Sequence, residues 1–244
     1  HRDLHSFPTR RSSDLGINFI DTANVYNRGE SEKIVGEGLK AMKCRDGIFL
    51  ATKFYNPMSD DPNDRGVSRF HIMKECENSL RRLGTDRIDL YQAHRPGFSV
   101  PQDETLRALD DLVRQGKVLY IGTTTFPAWK LMEGLAVSEK LGLHRYVSEQ
   151  PPYNILERRV ENETLPLAAA QGLAVIPWSP IAGGLLSGKY PVDGSSPKGS
   201  RGDAGRQIWK DRISPSGRVA AAKIAAYAES RGWIPAEFAF AWVK

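Results

Sequence analysis

Strand-like and helical patterns alternate along most of this chain, and three successive strand-like segments end in chemically capable side chains. Asn18-Phe-Ile-Asp-Thr-Ala23 carries Asp21, and Tyr26 follows in the next loop. Ile48-Phe-Leu-Ala-Thr-Lys53 ends in Lys53, and Ile88-Asp-Leu-Tyr-Gln-Ala-His94 ends in His94. Each segment is followed by a helical pattern, and further on helical patterns around Ala128 to Leu141 and from about Val160 to Gln171 alternate with strand patterns at Tyr146–Gln150 and Leu173–Trp178. This is the signature of parallel strands joined by helical crossovers. Such an arrangement lays the C-terminal strand ends side by side. In an α/β barrel that face holds the active site, with residues drawn from several strands.

The four side chains make a coherent chemical set. A free phenol has a pKa of about 10, too high for an efficient general acid at neutral pH. A neighbouring ammonium favours the phenolate and is expected to lower the Tyr26 value. A carboxylate at Asp21 would hold Lys53 in place and keep it charged. His94 would bind and orient a substrate oxygen, supplying a donor where alkoxide charge develops. None of the four carries a hydride, so reduction of a carbonyl by this set requires a cofactor. Taken singly, each has an ordinary account: a turn-capping Asp, a half-buried Tyr, a snorkelling Lys and a core His. Their occurrence together on consecutive strand ends favours the catalytic account.

The surrounding residues identify a family. Gly16-Ile-Asn-Phe-Ile-Asp-Thr-Ala-Asn-Val-Tyr26, Ala51-Thr-Lys53 and Leu83-Gly-Thr-Asp-Arg-Ile-Asp-Leu-Tyr-Gln-Ala-His94 resemble the aldo-keto reductase signatures. Glu149-Gln-Pro-Pro-Tyr-Asn154 and Pro177-Trp-Ser-Pro-Ile-Ala-Gly-Gly-Leu-Leu-Ser-Gly-Lys189 match later segments in the same order. The resemblance runs from about Gly16 to Lys244 and implies a (β/α)8 TIM barrel. It implies NADP(H) as cofactor, a small-molecule aldehyde or ketone as substrate, and Asp21, Tyr26, Lys53 and His94 as the tetrad, with Tyr26 the general acid.

The same resemblance implies a cofactor set. Thr124, Thr125 and Gln150 occupy the positions that hold the nicotinamide carboxamide, where Thr125 replaces an asparagine and loses a two-ended donor and acceptor. Asp21 and Tyr26 border the nicotinamide, and Trp178 stands where an aromatic stacks on its ring. Ser179, Pro180, Ile181, Ala182 and Gly183 form the turn beside the pyrophosphate, and Lys189 matches a phosphate-binding lysine. Potassium-channel beta subunits belong to the same family, so an NADP-binding regulatory subunit with little turnover is one alternative. A Schiff-base aldolase using Lys53 as nucleophile is the other.

Two near-miss motifs are set aside. Gly36-Glu-Gly-Leu-Lys-Ala41 fits a dinucleotide-turn pattern but lies within a helical run with no strand immediately before it. Gly183-Gly-Leu-Leu-Ser-Gly-Lys189 approaches a P-loop, but Tyr190 stands where an aliphatic hydroxyl would hold magnesium.

Composition narrows the classes. The chain has 244 residues, 40% hydrophobic and 26% charged, which suits one barrel domain. No apolar stretch has the length of a membrane span. The two cysteines match no metal-ligand spacing and suit a reducing, cytoplasmic setting. Much of the formal charge of +5 lies between Gly194 and Arg218, where six basic residues accompany two acidic ones. The Gly, Ser and Pro content there reads as a mobile loop rather than a nucleic-acid surface. Oligomeric state is left open.

Both ends depart from the family pattern. The segment from His1 to Leu15 has no strand periodicity and is expected to be non-native or disordered, with the barrel domain spanning 16–244. The family's first and last barrel strands are unmatched, so an incomplete barrel from a truncated gene is expected, and little turnover from the 244 residues alone.

Overall fold

The computed structural model describes residues 16–204 and 213–244. The expectations for His1–Leu15 and for the middle of the basic loop lie outside these residues. Contacts divide the chain into two compact units.

The first unit, covering the chain to Glu149 together with Ala170–Ala174, carries strands β1 (Phe19–Asp21), β2 (Phe49–Phe54), β3 (Ile88–Ala93), β4 (Val118–Thr124) and nearly all of β5 (Tyr146–Gln150). Between them run helices α1 (Glu30–Met42), α2 (Arg69–Leu83), α3 (Gln102–Arg114) and α4 (Ala128–Leu141). The sheet order is sequential and ends in the short strand β6 (Ala174–Val175). The pairs are parallel, with Asp21 opposite Ala51, Lys53 opposite Gln92 and Ala93 opposite Thr123. This is the α/β architecture expected of an incomplete (β/α)8 barrel.

β2 and β3 are each paired on both edges, and their burial matches that place in the sheet. Nearly every residue of Phe49–Phe54 and all of Ile88–Ala93 are buried, as expected for strands covered on both faces. The Phe54 and Tyr91 rings lie 4.7 Å apart in that core. Helix ends follow their local chemistry. Ser68 caps α2 by accepting from the His71 N–H, and Gly84 closes it in the left-handed conformation. The glycines read as a false dinucleotide turn lie within α1, where Gly36 packs against α2: an added Cβ would stand 2.3 Å from the Leu83 carbonyl oxygen.

The second unit comprises Gln150–Ala169 and Val175–Lys244. It carries the start of α5 (Thr164–Gln171), a kinked 3₁₀ segment at Ala182–Ser187, α6 (Pro215–Ser230) and α7 (Pro235–Val243). Leu185, Leu186, Tyr190, Ile213, Ala221 and Ala239 form its core.

Three local expectations change. The helix expected from about Val160 to Gln171 is a 3₁₀ turn at Arg159–Glu161 followed by α5. Pro166 lacks an N–H and is accommodated only in a first helical turn. The strand expected over Leu173–Trp178 is two residues long. Pro177 cannot donate to a ladder, and Trp178 instead makes an isolated bridge with Pro152. Arg218, read as a solvated loop charge, lies in α6 and is buried. Its guanidinium donates to the Pro191 and Ser195 carbonyls at 2.9 and 2.6 Å. It also lies 5.5 Å from the Tyr190 ring centroid.

Candidate active site

The parallel register brings the four sequence-predicted residues together in the first unit. Asp21 ends β1, Lys53 lies one residue from the end of β2, and His94 directly follows β3. Lys53 Nζ donates to Asp21 Oδ2 at 2.5 Å and to the Thr22 carbonyl at 2.8 Å. The same ammonium lies 5.2 Å from the centroid of the Tyr26 ring. The Tyr26 and His94 rings meet edge to face at 5.7 Å. Lys53 is fully buried and His94 is 9% exposed, whereas Tyr26 is 42% exposed. Tyr26 and Asp21 are thus the members open to solvent.

Burial reshapes the expected electrostatics. It is the largest influence on Lys53 and lowers its pKa, outweighing the Asp21 carboxylate that would raise it. Tyr26 is raised rather than lowered, first by burial and then by Asp21, while Arg95 acts in the opposite sense. The expected depression by Lys53 is not found. Asp21, which takes the lysine's hydrogen bond, also bears on the phenol. His94 is pushed down to about 3 by burial, reinforced by Lys53 and Arg95, so its imidazole is neutral at ordinary pH.

Four residues absent from the sequence reading hold this group. Gln92 Nε2 donates to Asp21 Oδ1 at 3.0 Å, leaving the other carboxylate oxygen to Lys53. Asn56 Nδ2 lies 3.1 Å from His94 Nδ1. Arg95 Nη1 donates to the His94 carbonyl at 2.6 Å and reaches the Thr124 and Thr125 hydroxyls at 3.4 and 3.2 Å. Glu149 is fully buried, accepting from Thr123 Oγ1 at 2.5 Å and from the Phe126 N–H at 3.1 Å. It therefore braces the loop that carries Thr124 and Thr125. The available signal was position: Gln92 faces Lys53 across the ladder, and Arg95 follows His94.

Thr124 and Thr125 follow one another at the end of β4, with Thr125 in the left-handed conformation at φ 58°. Gln150 is buried as the last residue of β5. In the second unit Trp178 is half-buried, and its backbone N–H donates to the Pro151 carbonyl at 2.9 Å. Ser179, Ala182, Gly183 and Gly184 all have positive φ, which turns the backbone sharply along Ser179-Pro180-Ile181-Ala182-Gly183. Asn154 Nδ2 ties this turn down through the Ser179 carbonyl at 3.0 Å. An added Cβ at Gly184 would stand 3.3 Å from Lys189 Cε. Lys189 is exposed, with its ammonium 5.4 Å from the Tyr190 ring centroid. Trp178, Ser179 and Ala182 help line a cavity of about 530 Å³. An aromatic face beside a glycine turn and an exposed lysine suits a planar, anionic ligand such as a dinucleotide.

Comparison with known proteins gives the lineage. An uncharacterized oxidoreductase of Bacillus subtilis is 46% identical over 185 residues, covering 72% of this chain and 57% of that protein. A putative voltage-gated potassium channel subunit beta of Schizosaccharomyces pombe is 35% identical over 240 residues, covering 96% of this chain and 69% of that one. Versiconal hemiacetal acetate reductase of Aspergillus parasiticus is 34% identical over 246 residues, covering 93% and 71%. The chain thus spans between about half and three quarters of the length of these relatives. The model of the aldo/keto reductase family matches residues 9–244. With this match over nearly its whole length, the chain belongs to the aldo/keto reductase family.

Proposed function

We propose that the protein reduces aldehydes or ketones to alcohols with NADP(H), using Tyr26 as general acid. The observation that carries this reading is the Lys53–Asp21 pair at 2.5 Å, with the Tyr26 ring over Lys53 and the His94 ring at its edge. The nicotinamide supplies the hydride when bound. The family resemblance makes Thr124 and Thr125 of the first unit candidates for the carboxamide; within the second unit it makes Gln150 and Trp178 candidates for the nicotinamide, and the Ser179–Gly183 turn with Lys189 candidates for the phosphates.

The chain's own residues handle the proton. Tyr26 holds its proton at neutral pH, and its raised pKa makes it a weaker acid than a free phenol, so donation to an oxygen waits on the alkoxide charge that develops there. His94, neutral and close to the phenol, orients that oxygen. Lys53 lies over the ring, where its positive charge stabilises the phenolate left after donation. Asp21 and Gln92 hold the ammonium there.

Full burial of Lys53 and its two hydrogen bonds weigh against the Schiff-base aldolase, which needs an accessible free amine. A regulatory role is favoured by the relative named as a channel beta subunit, and turnover separates it from a reductase. The test is aldehyde-dependent oxidation of NADPH by the wild type and by Tyr26→Phe. A fall of about a hundredfold or more in kcat, with NADPH affinity retained, is expected. Equal kcat in the two proteins would refute the assignment. Binding of NADPH without turnover would favour the regulatory reading.

A further inference from the structure

We propose that Asn56 is a positioning residue that fixes His94 as the Nε2–H tautomer, so that the imidazole offers a donor to the substrate oxygen. The inference deepens the reductase reading and rests on it for its consequence in catalysis, though not for the tautomer itself.

The argument begins with the hydrogen bond. Asn56 Nδ2 and His94 Nδ1 are 3.1 Å apart. An amide nitrogen donates and has no lone pair to accept with, so Nδ1 is the acceptor. A neutral imidazole with Nδ1 accepting carries its proton on Nε2. Burial keeps the ring neutral first, and Lys53 on β2 and Arg95 on its own loop both oppose a second proton. Tyr26, from the loop after β1, meets the ring at its edge. The Asp21 carboxylate is engaged by Lys53 and Gln92.

The backbone is built to present Asn56. Tyr55, immediately before it, has φ 125°, a conformation costly for any residue with a side chain. The Tyr55 carbonyl accepts from the Gly66 N–H at 2.7 Å, closing the loop on itself. That loop is also locked to the one following His94: an added Cβ at Gly97 would stand 2.1 Å from Val67 Cγ2. Thr105 Oγ1 holds the Val67 carbonyl from α3 at 2.8 Å. The Asn56–His94 contact therefore joins two loops already packed against each other.

The decisive variant is Asn56→Asp, nearly identical in shape but an acceptor where Asn56 donates. It would draw a proton onto Nδ1, giving either the Nδ1–H tautomer, with no donor at Nε2, or the imidazolium, which donates from both nitrogens. Nitrogen-15 NMR of histidine-labelled protein, assigned with His94→Gln, reads the ring directly. In the wild type His94 should show a bare Nδ1, a protonated Nε2 and no titration between about pH 5 and 8. In Asn56→Asp it should titrate within that window. There kcat/KM for aldehyde reduction should acquire a new limb, falling about tenfold per pH unit above the new pKa. Asn56→Ala should show the two tautomers in exchange and keep the flat pH profile at a several-fold lower kcat. A protonated Nδ1 in the wild type, or Asn56→Asp with unchanged ring shifts, would overturn the proposal. Correct ring shifts in a protein that reduces no aldehyde would support the tautomer and count against the reductase reading instead.

Discussion

Asp21→Asn isolates what the carboxylate does for Lys53. The substitution keeps the shape and the contact to Gln92 but removes the charge from a lysine with no exposed surface. Two influences raise the Lys53 pKa most, the Asp21 charge and the Asp21 hydrogen bond, while burial opposes them. Without them burial acts almost alone, and Lys53 sheds its proton more readily. Breaking a buried pair from one side costs about 3–5 kcal/mol. Asp21 is 26% exposed in its side chain, and water on that side places the loss near the lower end, about 3 kcal/mol. For a chain of this size that corresponds to a fall of about 6–12 °C in Tm.

The pH dependence gives the sharper test. Lys53 already has a pKa below its ordinary value in the fold, so the unfolded chain binds more protons there and stability rises with pH through that window. Asp21→Asn lowers the folded value further and extends the rising segment to lower pH. Lys53→Met in the Asp21→Asn background removes the buried amine as well and should regain much of the lost stability. Calorimetry or thermal melts of the three variants from about pH 6 to 10 would read this. A single variant melting within about 2 °C of wild type, with the same pH slope, would refute the account of Lys53 as a buried charge held by Asp21.

Glu149 offers a second titration of opposite sign. Burial raises its pKa from 4.5 to about 7, so the fold holds a proton the unfolded chain has released. Stability should decline by about 3 kcal/mol as pH rises from about 4.5 to above 7, and Glu149→Gln should flatten that decline in thermal melts. Gly36→Ala should destabilise by about 1–3 kcal/mol despite the better helix propensity of alanine, because its methyl meets the Leu83 carbonyl; chemical denaturation checks the sign. Trp178→Ala should weaken NADPH binding and abolish the accompanying quench of tryptophan fluorescence, and unchanged affinity would remove Trp178 from the stacking role.

The strand and helix order was legible because the signals are local. β5 at Tyr146–Gln150 and α4 at Ala128–Leu141 fall on the expected residues, and Ser68 and Gly84 bound α2 as their chemistry requires. The clustering of Asp21, Tyr26, Lys53 and His94 was legible because strand ends in a parallel sheet are neighbours by construction. Where the reading went astray, a proline decided against the hydrophobic pattern: Pro166 delays α5, and Pro177 ends β6.

The electrostatics of the site were not legible, and the reason is physical. A sequence shows that Lys53 and Tyr26 follow neighbouring strands, which suggests a lowered phenol pKa. It does not show that Lys53 is wholly buried while the phenol stays half-exposed, or that burial sets the direction at both, with Asp21 opposing it at Lys53 and adding to it at Tyr26. Those facts depend on contacts from residues far apart in the chain. Gln92 holds a carboxylate 71 positions away, and Asn56 meets an imidazole 38 positions away. Arg95 is adjacent to His94 in sequence, yet its guanidinium spans to Thr124 and Thr125 on the next strand. It thereby places a positive charge that lowers the pKa values of Tyr26, Lys53 and His94 alike. Replacing Arg95 would therefore raise the pKa of all three titratable groups, while replacing Asp21 would lower those of both Lys53 and Tyr26. The site's proton balance is a property of this opposed pair rather than of the four strand-end residues alone.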